Sequence, residues 1–203
     1  MLVFLEKSLA IYANPKTGST ALEYALDGYA DIVLRSKLKH VRVIRAQRRL
    51  LPLLKGTRFA IPEGFVIIRE PIEWLHSWYR YRLKDDTEPQ HSTKEISFDE
   101  YVGLYLQDVR PECARVGQQS KFVAGNGPLS IKHMFAHEHT DRAIGFLIDR
   151  LGFDFPVGWE NESPKKPLEI EPKTEAKLRS FFSDDYDIYD RAITYSLGFE
   201  PPQ

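Results

Sequence analysis

Short apolar runs alternate with longer amphipathic stretches along the chain, and this order predicts strands that alternate with helices. The clearest strand is residues 65–68, a continuous apolar run bounded by Gly64 and Arg69 that is typical of a strand buried on both faces. Three further strands are predicted, at residues 9–13, 31–34 and 131–136. Because strands that alternate with helices usually form a parallel sheet, we expect an α/β fold with a mostly parallel central sheet flanked by helices.

Local signals place the ends of several helices. Pro71 is expected to begin a helix, since proline is preferred at the first helical position. Ser97 followed by Glu100 is a capping-box pattern and begins a helix that reaches about residue 107. Gly152 closes a helix predicted at residues 140–151. The other predicted helices span residues 19–27, 41–54 (interrupted by Pro52), 173–182 and 186–195.

Length and composition indicate one ordinary globular domain. The chain has 203 residues, 42% hydrophobic and 28% charged, so residues 1–203 are interpreted as a single domain. The lone Cys113 cannot form an internal disulfide, and no apolar stretch approaches the roughly 20 residues of a membrane span. Charges at Glu6 and Lys7 come too early for a signal sequence, and this segment is expected to run straight into the first strand. The simplest expectation is a cytoplasmic protein.

Charge is distributed unevenly along the chain. The formal net charge of -1 argues against a generic nucleic-acid binder, which would be strongly basic. Yet residues 32–62 contain no Asp or Glu and nine Lys or Arg residues. This basic run is either a solvated helix face or a surface that faces an anion, and the sequence leaves both interpretations open.

The segment NPKTGSTALEYAL, residues 14–26, carries the first candidate chemistry. An apolar run, a turn with Gly18 and an amphipathic helix follow one another, and a helix N-terminus after such a turn binds anions. Nucleotide hydrolases have the lysine directly after the glycine, with a hydroxyl placed for magnesium. Here Lys16 precedes Gly18, and Ser19 and Thr20 follow it. The segment therefore predicts a three-layer P-loop-type fold whose phosphate loop differs from that of the hydrolases.

A second candidate segment, FVIIREPIEWLHSWYRY, covers residues 65–81. Arg69 follows the buried strand, at the end where open α/β sheets bind their ligands. Ser77 lies eight residues later, on the same helical stripe as Trp74, Trp78 and Tyr81. Ser77 either fills a tight helix contact or hydrogen-bonds a phosphate oxygen beside Arg69.

Together, PKTGST and R-E-P-x-x-x-x-x-S resemble the sulfotransferases that use 3′-phosphoadenosine 5′-phosphosulfate (PAPS), in their bacterial-type and carbohydrate-type branches. The likeness extends over nearly the whole chain through LKHVRV, residues 119–122, IKHMFAHE, WENESPKKPLEI and DDYDIYD. The resemblance implies that Arg69 and Ser77 hold the 3′-phosphate of PAPS. It implies that the 5′ side is held by Lys16, Thr17, Gly18, Ser19 and Thr20.

The sequence departs from that family at two places. The basic Arg-Lys-Gly loop that binds the 3′-phosphate in the cytosolic branch has no counterpart, although Lys165 and Lys166 could substitute for it. Glu70 stands where many members have Asp or Asn. The first departure leaves the adenosine side of the site poorly defined.

The resemblance also implies roles in catalysis. Lys16 would stabilise the charge on the oxygen that leaves with the nucleotide, so the transfer would need no metal. The general base is predicted to be His40, which matches the Lys-His region of carbohydrate-type members, with Glu23 and Glu70 in reserve. His137 and His139 flank a helix start and are expected to be surface or capping residues.

Three functions remain open on sequence alone. A P-loop kinase acting on a small metabolite would need magnesium, held by the loop hydroxyl and by a carboxylate at a strand end. A non-catalytic nucleotide-binding protein could keep the loop for stability. For a sulfotransferase, the acceptor could be a glycan, a phenol, a peptide or a lipid.

Overall fold

A central β-sheet forms the middle layer of the protein, in a computed structural model that describes residues 1–156, 158 and 169–199. Within those residues five strands form one sheet in the order β3-β1-β2-β4-β5. The strands are β1 (Leu2–Phe4), β2 (Leu9–Ile11), β3 (Ile32–Val33), β4 (Glu63–Ile68) and β5 (Ile131–Ala136).

Four of these strands run in the same direction. β2, β4 and β5 are parallel neighbours, while β1 is antiparallel to both β2 and β3. The predicted α/β fold with a mostly parallel sheet is therefore confirmed. The expectation for the N-terminal segment is wrong, because residues 2–4 form a strand of their own. Glu6 and Lys7 lie in the tight turn to β2, which Ser8 N–H closes by donating to the carbonyl of Leu5 at 3.1 Å.

Helices cover both faces of the sheet. They are α1 (Ser19–Leu26), α2 (Val43–Arg49), α3 (Leu51–Leu54), α4 (Pro71–Tyr81), α5 (Phe98–Tyr105), α6 (Gln119–Val123), α7 (Thr140–Leu151), α8 (Pro172–Phe181) and α9 (Ser183–Gly198). The capping box of Ser97 and Glu100 is confirmed, as is the left-handed Gly152 (φ 80°) after α7. The helix predicted at residues 41–54 is divided at Leu50 into α2 and α3.

Side-chain alternation along the strands produces two cores. On one face, Tyr12, Val66 and Ile68 pack with residues of α2, α6 and α9. On the other face, Ile11, Phe65 and Ile67 pack with residues of α1 and α7. Because successive strand residues point to opposite faces, a continuous apolar run is required wherever both faces are covered.

A third core holds α4 in place beside the sheet. It is rich in aromatic side chains from α4, α5 and α8, among them Trp74, Tyr79, Phe98, Tyr101 and Phe182. His76 is buried in this core, with its ring centre 4.8 Å from that of Phe98. The buried residues of α4 are thereby fixed against this core.

The carboxyl ends of the parallel strands meet at one edge of the sheet. β2 leads into the loop of residues 12–18, β4 into Arg69, and β5 into His137. β3 ends at the same edge and leads into residues 34–40. Open α/β sheets bind their ligands at this edge, and it gathers nearly all the candidate residues. Among the described residues, no helix is long and apolar enough to cross a membrane.

Candidate functional site

The loop between β2 and α1 is held rigidly by buried side chains. Asn14 is 1% exposed, and its Nδ2 donates to the carbonyl of Ile67 at 3.0 Å. The Thr17 hydroxyl donates to the carbonyl of Asn14 at 2.8 Å, and Trp74 Nε1 donates to the carbonyl of Pro15 at 2.9 Å. These contacts, within the loop and to β4 and α4, hold the loop against the sheet and the helix.

The turn into α1 brings the start of a helix to the sheet edge. Gly18 is the N-cap residue, in the left-handed conformation (φ 74°), and no side chain caps the helix. The N–H groups of the first turn of a helix have no intrahelical acceptor and lie at the positive end of its dipole. Lys16 is also left-handed (φ 67°), a conformation that costs a non-glycine residue roughly 1–2 kcal/mol. The predicted anion loop thus has suitable geometry at Lys16, Thr17, Gly18, Ser19 and Thr20.

The side chain of Lys16 extends from the loop towards α4. Its Nζ lies 4.1 Å from the ring centre of Tyr81 and 5.8 Å from that of Trp78. Burial lowers the pKa of the Lys16 ammonium to about 8, and the positive charges of three neighbours add to this shift, namely Lys84, Arg69 and Arg80. Burial and neighbouring cations disfavour the charged form of a lysine, and an anion that binds beside it stabilises that charged form.

Arg69 lies where β4 ends, and its backbone is bound by Gln119. The Arg69 N–H donates to Gln119 Oε1 at 3.1 Å, and Gln119 Nε2 donates to the Arg69 carbonyl at 2.7 Å. Gln119 Oε1 also accepts from Asn14 Nδ2 at 2.9 Å. One buried amide therefore joins the loop to the end of β4.

Gln119 is in turn positioned by the closing helix. Asp185, which is fully buried, accepts from the Gln119 N–H at 2.7 Å and from the Ser120 hydroxyl at 2.8 Å. Its neighbour Tyr186 donates to the carboxylate of Glu70. Sequence reasoning noticed both segments only as part of a resemblance and gave Gln119 and Asp185 no role.

The cations around Arg69 are incompletely neutralised. We call Lys16, Arg69, Arg80 and Lys84 the α4 cation cluster. Among the described residues only Arg69 forms an ion pair with an acid, Glu73, at 3.4 Å. Within the same part of the chain, Arg80 Nε and Trp78 Nε1 are buried and have no hydrogen-bond partner. Buried donors and cations without partners are costly, so this site is suited to an anionic ligand.

Ser77 and His137 lie on the borders of this cluster. Ser77 is 4% exposed, one turn of α4 before Tyr81, and its predicted contact with a 3′-phosphate stays a prediction. His137 follows β5, and after burial the charge of Arg69 is the next cause that lowers the pKa of its imidazole. The sequence analysis expected His137 to be a surface or capping residue and did not predict that it lies beside Arg69. The adjacency of parallel strands β4 and β5 was the signal that could have revealed it.

His40 lies at the mouth of a cleft beside the loop, with its ring accessible to solvent. Its Nδ1 donates to the carbonyl of Ala13 at 2.6 Å, since a carbonyl can only accept. The neutral imidazole therefore keeps its lone pair on Nε2. Desolvation of the side that faces the loop lowers the pKa of His40, against the opposing effect of the bond to Ala13. A neutral histidine with a free nitrogen is the form that a general base requires.

The reserve bases have structural partners. Glu23 forms a partly buried ion pair with Lys39, whose Nζ also donates to the Thr20 hydroxyl at 3.0 Å. Glu70 caps α4 by accepting from the Glu73 N–H at 2.7 Å. Lys165 and Lys166 lie outside the described residues.

The cleft that His40 borders has a volume of about 870 Å³. It opens between the start of the loop, α2 and the Trp74–Trp78 side of α4. Among the described residues, no group of three or more His, Cys, Asp and Glu side chains is placed to hold a metal ion.

Comparisons with known proteins give little further information. The chain matches no protein-family model and no curated protein. Among solved structures, a sulfotransferase from Alicyclobacillus acidocaldarius is similar over 96% of this chain and 94% of that chain, with 15% identity and a TM-score of 0.40. A likeness of this size assigns no family, activity or ligand to this chain.

Proposed function

We propose that the protein is a sulfotransferase that moves a sulfuryl group from PAPS to a hydroxyl or amine of an acceptor. The observation that carries this proposal is the α4 cation cluster beside a loop with an uncapped helix N-terminus. The start of α1 and the α4 cation cluster are neighbouring positive sites at the ligand-binding edge of the sheet, and each would be stabilised by a bound anion. A nucleotide that carries anionic groups at both its 3′ and its 5′ positions satisfies both.

The residues present fit such a ligand. Residues 16–20 would hold the 5′ phosphosulfate through backbone N–H groups and the Lys16 ammonium. Arg69 and Ser77 would hold the 3′-phosphate. Arg80 and Lys84 add positive charge near Lys16, and Arg80 also adds it near Arg69.

The proposed reaction is a direct transfer. A bond forms between the acceptor oxygen and sulfur while the bond between sulfur and the bridging phosphate oxygen breaks. The electron pair of the broken bond leaves with adenosine 3′,5′-bisphosphate, and the acceptor proton passes to His40 Nε2. Lys16 would stabilise the negative charge that develops on the leaving oxygen.

The kinase alternative fits the arrangement less well. The strand end that would supply a magnesium-binding carboxylate is followed by Arg69, and the Thr20 hydroxyl accepts a hydrogen bond from Lys39. A non-catalytic nucleotide-binding protein would share the anion site but would leave the free Nε2 of His40 without a role.

Transfer from ³⁵S-labelled PAPS, with and without magnesium and a chelator, separates these functions. A sulfotransferase transfers label in the presence of the chelator. A kinase transfers phosphate from ATP and stops when magnesium is removed. A protein that binds adenosine 3′,5′-bisphosphate but transfers neither group to glycan, phenol, peptide and lipid acceptors would contradict the proposal.

A further inference from the structure

We propose that the acceptor is a carbohydrate chain with several negative charges, which binds along α2 in the cleft beside His40. This inference rests on the proposed function, because it names the molecule that receives the sulfuryl group. Its basis is the charge and shape of the 870 Å³ cleft, which the sequence interpretation left undecided.

The cleft is in the correct position for an acceptor. Asn14 and Pro15 of the loop line it together with His40. Trp74 and Trp78 of α4 and residues of α2 also line it. Since Lys16 Nζ lies 5.8 Å from the centre of the Trp78 ring, the cleft and the α4 cation cluster share this one side chain as a border. A molecule in the cleft therefore reaches both the base and the nucleotide site.

The lining of the cleft is strongly positive. Six cationic side chains contribute to it, all exposed, and no acidic residue does; they are Lys37, Arg42, Arg45, Arg48, Arg49 and Lys121. None of the six forms an ion pair with an acidic residue in the described part of the chain.

The remaining members of the basic run behave differently. Arg35, Lys39 and Arg58 pair with Asp27, Glu23 and Glu6, and all three lie outside the cleft lining. Lys55 also lies outside it. Outside the cleft, three of the four cations of the run are thus paired with an acid, with Lys55 as the exception, whereas none of its five cations in the cleft is paired in the described part of the chain. A generic solvated helix face gives no reason for this division.

The spacing of the charges favours an extended polyanion. Arg42 is the N-cap residue of α2, and Arg45 and Arg49 follow it at intervals of three and four, so the row extends over about 10 Å. A single carboxylate or phenolate cannot contact a row of that length. Arginine binds carboxylates and sulfates through two parallel hydrogen bonds, so such a row suits a chain with repeated acidic groups.

Polar and apolar groups in the same cleft suit a sugar rather than a lipid tail. The lining combines six exposed cations with the partly exposed ring of Trp78. Sugar hydroxyls and carboxylates can accept hydrogen bonds from these cations, whereas an alkyl chain would displace water from them without replacing its hydrogen bonds. The transfer itself requires a hydroxyl, which a sugar supplies on every ring.

Titration calorimetry with a uronic-acid-containing hexasaccharide tests the inference. The matched ligand is the same hexasaccharide with its carboxylates reduced to alcohols, and a single-stranded oligonucleotide of equal charge is the third ligand. All titrations contain saturating adenosine 3′,5′-bisphosphate. The variants are Arg45→Gln/Arg48→Gln in the cleft and Arg35→Gln/Arg58→Gln as a control from the same basic run.

We expect the acidic hexasaccharide to bind the wild type more tightly than its reduced form, and more weakly as salt is added. The cleft variant should lose roughly 10-fold in affinity, as expected for two exposed ion pairs, while the control variant stays at wild-type affinity. Equal affinity for the acidic and reduced hexasaccharides, an equal loss in the control variant, or equal affinity for the oligonucleotide would overturn the inference.

A parallel thermal-shift measurement with the bisphosphate alone keeps this test separate from that of the proposed function. If the bisphosphate stabilises the protein but the acidic and reduced hexasaccharides bind with equal affinity, the inference fails and the sulfotransferase proposal stands. If the bisphosphate has no effect while Arg45 and Arg48 bind the acidic hexasaccharide, the proposed function fails and the cleft remains an acidic-glycan site.

Discussion

The ammonium nitrogen of Lys16 lies 4.1 Å from the ring centre of Tyr81, one helical turn beyond Ser77 on α4. This contact connects the two segments that the sequence singled out separately. The backbone of Lys16 is part of the loop, and its ammonium group is part of the α4 cation cluster. A cation held over an aromatic ring is attracted to it but not neutralised, so the site keeps its positive charge.

Replacing Lys16 with methionine should stabilise the ligand-free protein while strongly reducing turnover. Lys16→Met keeps the apolar stem against Tyr81 and removes a cation that burial and its neighbours disfavour. We expect a rise in melting temperature of roughly 2–8 °C at pH 7, because removing the desolvation of the ammonium and its repulsion by neighbouring cations is worth about 1–2 kcal/mol. Turnover should fall on the order of 100-fold to 1,000-fold, as when a donor to a transition-state oxyanion is removed. The exposed Lys55→Met is the control and should change neither quantity.

The pH dependence of this stabilisation has a defined sign. The pKa of Lys16 is about 8 in the folded protein and about 10.5 when unfolded, so between these values the unfolded chain binds more protons. The wild type therefore gains unfolding free energy relative to Lys16→Met as the pH rises through this window. Denaturant unfolding at pH 7 and pH 10 measures the difference, and a gap that widened at pH 10 would contradict the assignment.

Arg69 should affect nucleotide affinity more than turnover. The charge of a 3′-phosphate does not change during the transfer, so Arg69→Gln removes ground-state and transition-state binding equally. We expect affinity for adenosine 3′,5′-bisphosphate to fall roughly 10-fold to 100-fold, the equivalent of one or two charge-assisted hydrogen bonds. Affinity for adenosine 5′-monophosphate should stay within about 3-fold, because that ligand lacks the group that Arg69 binds. Calorimetry measures the affinity of Arg69→Gln for both ligands. An equal loss of affinity for the bisphosphate and the monophosphate would refute the 3′-phosphate assignment.

Much of the fold was predictable because its signals are local. A continuous apolar run identified β4, a strand was also predicted at β5, and caps identified the starts or ends of α4, α5 and α7. β1 was missed because its three residues and the polar turn at Glu6 resemble a charged N-terminal segment. α6 was missed because it has only five residues and its first, Gln119, is polar but fully buried.

The candidate site was only half predictable for the same reason. The loop and Arg69 follow strands directly, so their positions could be inferred from sequence. The link from Asp185 to Gln119 joins residues 66 positions apart, and no local pattern indicates it. The division of the basic run into paired and unpaired cations depends on which acids lie nearby in the fold, and this too is absent from the sequence pattern.

Gln119 should support the site without touching the substrate. Gln119→Leu removes the amide that joins Asn14 to Arg69 and leaves the buried backbone groups of Arg69 without partners. We expect a loss of roughly 1–3 kcal/mol in unfolding free energy. Bisphosphate affinity should fall on the order of 10-fold to 100-fold, as when a residue that supports a binding site is lost. Gln47→Leu, which breaks two exposed hydrogen bonds far from Arg69, should leave that affinity unchanged.

His40 should set the acidic limit of the pH–rate profile. A general base must be neutral, so kcat/KM falls as the pH drops through its pKa, and desolvation places that pKa below the ordinary 6.5. The alkaline limit should lie near pH 8, where Lys16 loses its charge in the free enzyme. The profile is therefore expected to be bell-shaped, with its acidic limb below 6.5.

His40→Ala removes the acidic limb if Nε2 is the base. At saturating PAPS, turnover should fall on the order of 100-fold to 10,000-fold, and the remaining rate should no longer decline below pH 6.5. Bisphosphate affinity should be unchanged, because the ring contacts the carbonyl of Ala13 and not the α4 cation cluster. His91→Ala, in the partly exposed turn Pro89–His91, is the matched control and should keep wild-type turnover. A His40→Ala enzyme that retains both wild-type turnover and the acidic limb would show that the acceptor's proton goes to another group.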